Sequence, residues 1–133
     1  MSEGGGSATG PGPVQPAIRV LMMPKDTNAL GTIFGGIILS YIDQAGAVEA
    51  HRHARGRLVT VAMKEVEFHQ PVFVGDLVSL FTETVALGRT SVTVRVTVEA
   101  VRSGRPLERV KVTEATLVYV HVDENNCPLP IPV

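Results

Sequence analysis

DTNALGTIFGGIILSYIDQAG, residues 26–46, decides how this chain is read. It opens on Asp26, Thr27, Asn28 and Gly31, all residues that favour loops. It then passes through Gly35-Gly36 and turns apolar. Phe34, Ile37, Ile38, Tyr41, Ile42, Ala45 and Val48 recur every three or four residues, which is helical spacing. The spacing predicts a helix from about Gly35 to Ala54, stopped by Gly56. His51, Arg52, His53, Arg55 and Arg57 at its far end complement the macrodipole. A helix this apolar needs cover on most of its circumference. One carboxylate, Asp43, stands among Ile42, Ala45 and Val48, and a charge there is costly unless it is paired or used. Glu49, nearly two turns later, is expected to be exposed.

The flanking sequence supplies the cover. Ala17–Met23 is a short apolar run ended by Pro24, a first strand. Leu58–Phe68 alternates, with Val59, Val61 and Met63 expected on one side. Leu77–Leu87 follows the turn Val74-Gly75-Asp76. The loop Gly88-Arg89-Thr90 then leads into Ser91–Val101, where valines alternate with polar residues, the pattern of a strand with one wet face. After the turn Ser103-Gly104-Arg105-Pro106 comes Arg109–Val122, with Val110, Val112, Val118 and Val120. The order is strand, helix, four strands. Short turns between the strands imply an antiparallel sheet. The expected class is α+β, a long central helix wrapped by a curved antiparallel sheet.

Bulk properties narrow the function. The chain has 133 residues, so a single domain over residues 17–133 is expected, preceded by a Gly/Pro/Ser-rich tail over 1–16 that is too polar to order. A net charge of -1 gives no global field for nucleic acid. Cys127 is the only cysteine, which excludes an internal disulfide and a cysteine-rich zinc site. No apolar run is long enough to span a bilayer, and the N-terminus lacks the basic and apolar regions of a signal peptide. The expectation is a soluble cytoplasmic protein without a membrane partner.

Several segments in fixed order then carry a family resemblance. They are Pro24-Lys25-Asp26-Thr27-Asn28, Gly31, Ile33-Phe34-Gly35-Gly36, Asp43 and Ala45-Gly46. Downstream come Val59-Thr60-Val61, Phe68, Pro71-Val72, Val74-Gly75-Asp76, Gly88-Arg89-Thr90-Ser91, Thr113-Glu114-Ala115 and Tyr119-Val120. Over roughly Ile18 to Pro132 this set resembles the hotdog-fold acyl-CoA thioesterases, most of all the bacterial YciA-like single-domain group. The resemblance implies a hotdog fold working as a homodimer, assembled further into a trimer of dimers. It implies hydrolysis of acyl-CoA to a free acid and CoA, with no metal and no cofactor beyond the CoA of the substrate. It carries the catalytic carboxylate onto Asp43 and a functional loop asparagine onto Asn28.

The residue types suit that chemistry. Thioester hydrolysis needs an activated water or a nucleophile, and a stabilised oxyanion. Asp43 can act as general base or as nucleophile. Gly35 and Gly36 present unpaired N–H groups at the positive end of a helix, and glycine permits close approach. Asn28 can orient water or carbonyl. Gly36 and Asp43 lie roughly 10 Å apart along one helix, too far to share a thioester carbon. A two-fold dimer that faces one helix start with the partner's Asp43 would close the gap. Arg89 with Thr90 and Ser91 is a candidate CoA phosphate site, Arg52, Arg55 and Arg57 another, and Thr60 with Val61 could offer strand-edge backbone groups to pantetheine. Two alternatives compete. A hotdog dehydratase would pair a histidine with the carboxylate, and residues 26–46 contain none. A non-catalytic acyl-CoA-binding or regulatory hotdog domain would bind without turnover.

Overall fold

The computed structural model describes residues 14–104 and 108–132. Residues 1–13 of the expected tail, and Arg105 and Pro106 of the last expected turn, lie outside them. The elements are β1 (Ile18–Leu21), a 3-10 turn (Pro24–Asp26), α1 (Gly35–Ala50), β2 (Arg57–Phe68), β3 (Leu77–Leu87), β4 (Ser91–Val101) and β5 (Arg109–Val122). One antiparallel sheet holds all five strands in the order β1-β3-β4-β5-β2. The helix lies against it, chiefly over β3 and β4. The α+β class is as expected.

The core is the seam between helix and sheet. Ile38, Ile42, Ala45 and Ala50 form the buried stripe of α1. They meet Val78 and Leu80 of β3, Val92, Val94, Val96 and Val98 of β4, and Leu117 and Tyr119 of β5. Each fully buried Ile, Leu or Val contributes about 1.5–3 kcal/mol, so this seam is the main source of stability. β4 shows why its alternation was so regular: every second residue is buried and the others are half-buried.

Four sequence expectations are corrected. The helix ends at Ala50, not Ala54, because the N–H groups of Arg52 and His53 bond three residues back, to Glu49 and Ala50, and tighten the last turn. The strands are not all joined by short turns. β2 pairs with β5 at one edge while β3 lies beside β1, so residues 69–76 carry the chain across the end of the sheet. Only the Val74-Gly75-Asp76 part of that crossing is a tight turn, with Gly75 at φ 90°. Val59, Val61 and Met63 do not share a face, because register shifts between Thr60 and Ala62 and between Lys64 and Glu67 reset the alternation. Val110 and Val112 likewise do not share a face with Val118 and Val120. The pairing of β5 with β4 slips between Val98 and Glu99, and from there Ala115, Leu117 and Tyr119 turn inward.

Glu49 is the fourth correction. It is buried, 6% exposed, instead of solvent-facing. Its carboxylate accepts hydrogen bonds from Thr82 (3.2 Å) and Thr84 (2.7 Å) on β3 and pairs with Arg52 at 3.1 Å. Burial opposes its charge, but the hydrogen bonds from Thr84 and Arg52 outweigh it and hold the carboxyl below its ordinary range. A second buried carboxylate anchors the crossing segment. Asp76 accepts the Phe73 N–H at 2.9 Å and pairs with Arg102, which also donates to the Pro71 carbonyl and stacks over Phe73.

Candidate active site

The start of α1 is left uncapped. Phe34 occupies the N-cap position with extended backbone and supplies no side-chain hydrogen bond. Its own N–H is used, donating to the Asp26 carbonyl at 3.0 Å. The N–H groups of Gly35 and Gly36 find no acceptor among the described residues, and both glycines are exposed. Two free donors therefore stand at the positive end of the helix, an arrangement suited to anionic oxygen.

Glycine at these two positions has no explanation within the chain. A Cβ at Gly35 would make ordinary contact with the Phe68 ring at 3.6 Å, and one at Gly36 would meet nothing within 4 Å. Alanine would favour the helix by about 1 kcal/mol. Space for something outside the chain accounts for the absence of side chains here. A concavity of about 300 Å³ opens beside Gly35, bounded by Ile33, Ile38, Phe68, Val72 and Thr113.

The loop ahead of the helix is organised by its polar residues. Asp26 is buried and accepts from the Met23 N–H and from Lys25 Nζ, in that way closing the 3-10 turn. Those bonds, Lys25 first, hold its carboxyl below the usual range. Asn28 Oδ1 accepts the N–H groups of Leu30 (2.8 Å) and Thr32 (3.2 Å), and Nδ2 donates to Thr32 Oγ1 at 2.9 Å. Most of its hydrogen-bonding capacity shapes the loop, and one amide hydrogen remains available.

Asp43 is half-buried, not sunk in the apolar seam, and its partners are polar. Thr60 on β2 donates to Oδ1 at 2.8 Å, and the Tyr119 hydroxyl on β5 stands 3.0 Å from the same oxygen and 2.8 Å from the Asp43 main-chain carbonyl. Oδ2 accepts nothing among the described residues. Thr60 and Tyr119 are direct cross-strand neighbours, which is why both reach one carboxylate. Thr60 thus belongs to the Asp43 cluster through its side chain. Val61 is the extra residue of the adjoining bulge, 56% exposed on a sheet edge.

Tyr119 and Gly46 stand in segments that carry the family resemblance, but sequence reasoning assigned neither a role. Tyr119 falls between Val118 and Val120, the residues that marked the strand, and it is 1% exposed. The available signal was Gly46, a glycine inside a helix, where it costs stability. A Cβ at Gly46 would lie 2.3 Å from the Tyr119 hydroxyl, so glycine makes the room.

The basic candidates separate. Arg52 is committed to Glu49, and Arg57 donates to Asn126 and to the Glu124 carbonyl. The Arg89 and Arg55 side chains pair with nothing among the described residues. Arg89 lies with Thr90 in the β3–β4 hairpin, whose Gly88 N–H donates to the Ser91 carbonyl. That hairpin borders the row in which Val92 pairs with Tyr119 and Tyr119 with Thr60, so it sits at the Asp43 end of the sheet. His69 pairs with Glu114 at 3.1 Å in a surface cluster that Lys111 and Arg95 neutralise.

A family model described as Thioesterase superfamily matches residues 30–106. This chain belongs to the thioesterase superfamily. Among related sequences, the thioesterase is 42% identical over 118 residues to acyl-CoA thioester hydrolase YciA of Salmonella typhimurium, covering 87% of this chain and 89% of that one. A hexameric hotdog-fold thioesterase of Campylobacter jejuni superposes with a TM-score of 0.83 at 42% identity, covering 89% of this chain and 90% of its own. A hexameric broad-specificity acyl-coenzyme A thioesterase, solved as an aspartate-to-alanine mutant, superposes at 0.85 with 40% identity, covering 90% and 88%. The hotdog fold expected from the resemblance is therefore the fold of this thioesterase.

Proposed function

We propose that this chain hydrolyses the thioester of acyl-CoA to a free carboxylic acid and CoA, with Asp43 activating the attack and the N–H groups of Gly35 and Gly36 holding the oxyanion. The observation that carries the reading is the pair of unsatisfied amides at an uncapped helix start, on the same helix as a carboxylate oxygen with no partner. Water supplies the hydroxyl and the proton, and the thiol of CoA leaves. Asp43 either takes the proton from that water as general base or attacks the carbonyl first, giving an acyl-enzyme anhydride that water then opens. The reaction written this way consumes only water and needs no metal or cofactor.

The two half-sites stand roughly 10 Å apart on one helix. A homodimer in which the helix start of one chain meets Asp43 of the other resolves this. Val61 (56%) on the sheet edge, Phe34 (52%) at the helix start and Val48 (53%) on the helix are exposed apolar side chains available for such a contact. The hexameric relatives fit a trimer of such dimers. The apolar concavity beside Gly35 suits the start of an acyl chain, and Arg89 with Thr90 and Ser91 suits a CoA phosphate. A cytoplasmic location agrees with a CoA substrate, and no helix among the described residues is long and apolar enough to cross a membrane. The net charge of -1 supports no nucleic-acid partner.

A panel of acyl-CoA substrates, assayed by thiol release with wild type and Asp43→Ala, tests the reading. Turnover by wild type and its loss in the variant are expected. Binding without turnover by wild type would make the chain a binding domain instead.

A further inference from the structure

We infer that Tyr119 is a positioning residue for Asp43: its hydroxyl, admitted to the helix by Gly46, joins Thr60 in holding Oδ1 so that Oδ2 is left to react. The inference rests on the reading of Asp43 as the reacting carboxylate and adds a residue to it. Its basis is geometric. Two hydroxyls from neighbouring strands converge on one carboxylate oxygen, at 2.8 and 3.0 Å, while the other oxygen is left without a donor. Tyr119 is 1% exposed, so its ring is fixed by packing and the hydroxyl position is fixed with it.

The same hydroxyl is 2.8 Å from the Asp43 main-chain carbonyl, so its single proton is shared between the backbone and the side chain of Asp43. A carboxylate with one oxygen held cannot rotate freely about its terminal bond, and the free oxygen keeps a constant direction. Burial, and then the adjacent Asp43 carboxylate, push the Tyr119 phenol far above its ordinary range. Its hydroxyl is placed as a donor to Asp43. Gly46 fits this scheme. Any side chain there would displace the phenol, whose hydroxyl lies 2.3 Å from the nearest Cβ position. A helix-breaking residue in the middle of α1 is thereby explained by what it lets Tyr119 reach.

Tyr119→Phe keeps the ring and removes only the hydroxyl. Because a hydrogen bond to a charged group is lost, kcat is expected to fall roughly ten- to a hundredfold with KM within about twofold of wild type. The loss should fall on kcat and not on KM, because the hydroxyl touches the reacting carboxylate's held oxygen and not the substrate. Gly46→Ala, which keeps the hydroxyl but displaces it, should lower kcat in the same way with KM little changed. Thr60→Val removes the second donor from an exposed strand position and gives the same readout if Tyr119→Phe fails to fold. A purely structural tether would lower the melting temperature and leave kcat at the wild-type value in assays run well below that temperature. That result, with Asp43→Asn inactive, overturns the inference alone, whereas an active Asp43→Asn overturns the reading of Asp43 beneath it.

Discussion

Gly35→Pro deletes one N–H group from the helix start and changes little else. Proline is tolerated at the first helical position, where the amide has no intrahelical partner. The preceding residue must be extended, and Phe34 already is, at φ -55° and ψ 133°. A Cβ at this position meets the Phe68 ring at ordinary contact distance, 3.6 Å. The lost N–H had no acceptor among the described residues, so folding forfeits no hydrogen bond. Restricting the unfolded chain adds stability of about 0.4–1 kcal/mol. Activity should respond in the opposite way. Loss of one oxyanion donor raises the barrier by about 2.7–4 kcal/mol, a fall in kcat of roughly 10²–10³. Steady-state thiol release on an acyl-CoA measures this, with calorimetry and size-exclusion chromatography confirming fold and assembly. Gly35→Ala, which retains the N–H, is the control and should lose far less. A folded, assembled Gly35→Pro enzyme with kcat within a few-fold of wild type would refute the oxyanion assignment.

Three further outcomes follow from the same structure. Gly36→Ala should stabilise the chain by up to about 1 kcal/mol, since the new methyl meets nothing within the chain, yet lower kcat/KM by crowding whatever docks there; a variant both more stable and fully active contradicts this. Glu49 is held below its ordinary range in the folded state, so its contribution is complete above the unfolded value of about 4.3 and is lost as pH falls through the lower folded value. Denaturant titrations from pH 7 to pH 3 should therefore show a shallower acid loss for Glu49→Gln than for wild type, and parallel curves would argue against it. Arg102→Met leaves Asp76, whose side chain is 2% exposed, without its counter-charge; a loss of about 3–5 kcal/mol is expected in urea unfolding, and a loss under about 1 kcal/mol would show the pair to be dispensable.

What the sequence disclosed was mostly local. The bounds of β3, β4 and β5 were legible because alternation and turn residues are short-range signals. The neighbour relations were not, since β2 and β5 pair across the intervening length of β3 and β4 and nothing local encodes that. Bulges hid the faces of β2 and β5 for the same reason, each inserting one residue that no periodicity announces. At the site, Asp43 and the two glycines stood out as violations of helix chemistry. Glu49 was misread because its partners Thr82 and Thr84 lie on a distant strand, and the basic helix end beside it looked like a solvated face. Tyr119 was hidden inside a core strand, and only the unexplained Gly46 marked where it lands.

The central claim is that one active site is built from Asp43 of one protomer and the helix start of its partner. Two chains, one Asp43→Asn and one Gly35→Pro, are unfolded together, refolded in equal amounts and assayed for acyl-CoA hydrolysis. Random pairing makes half of the dimers mixed, and each mixed dimer holds one intact site, so about a quarter of wild-type activity should return. Activity no greater than the average of the two separate variants, with mixed dimers present by mass spectrometry, would contradict the shared site.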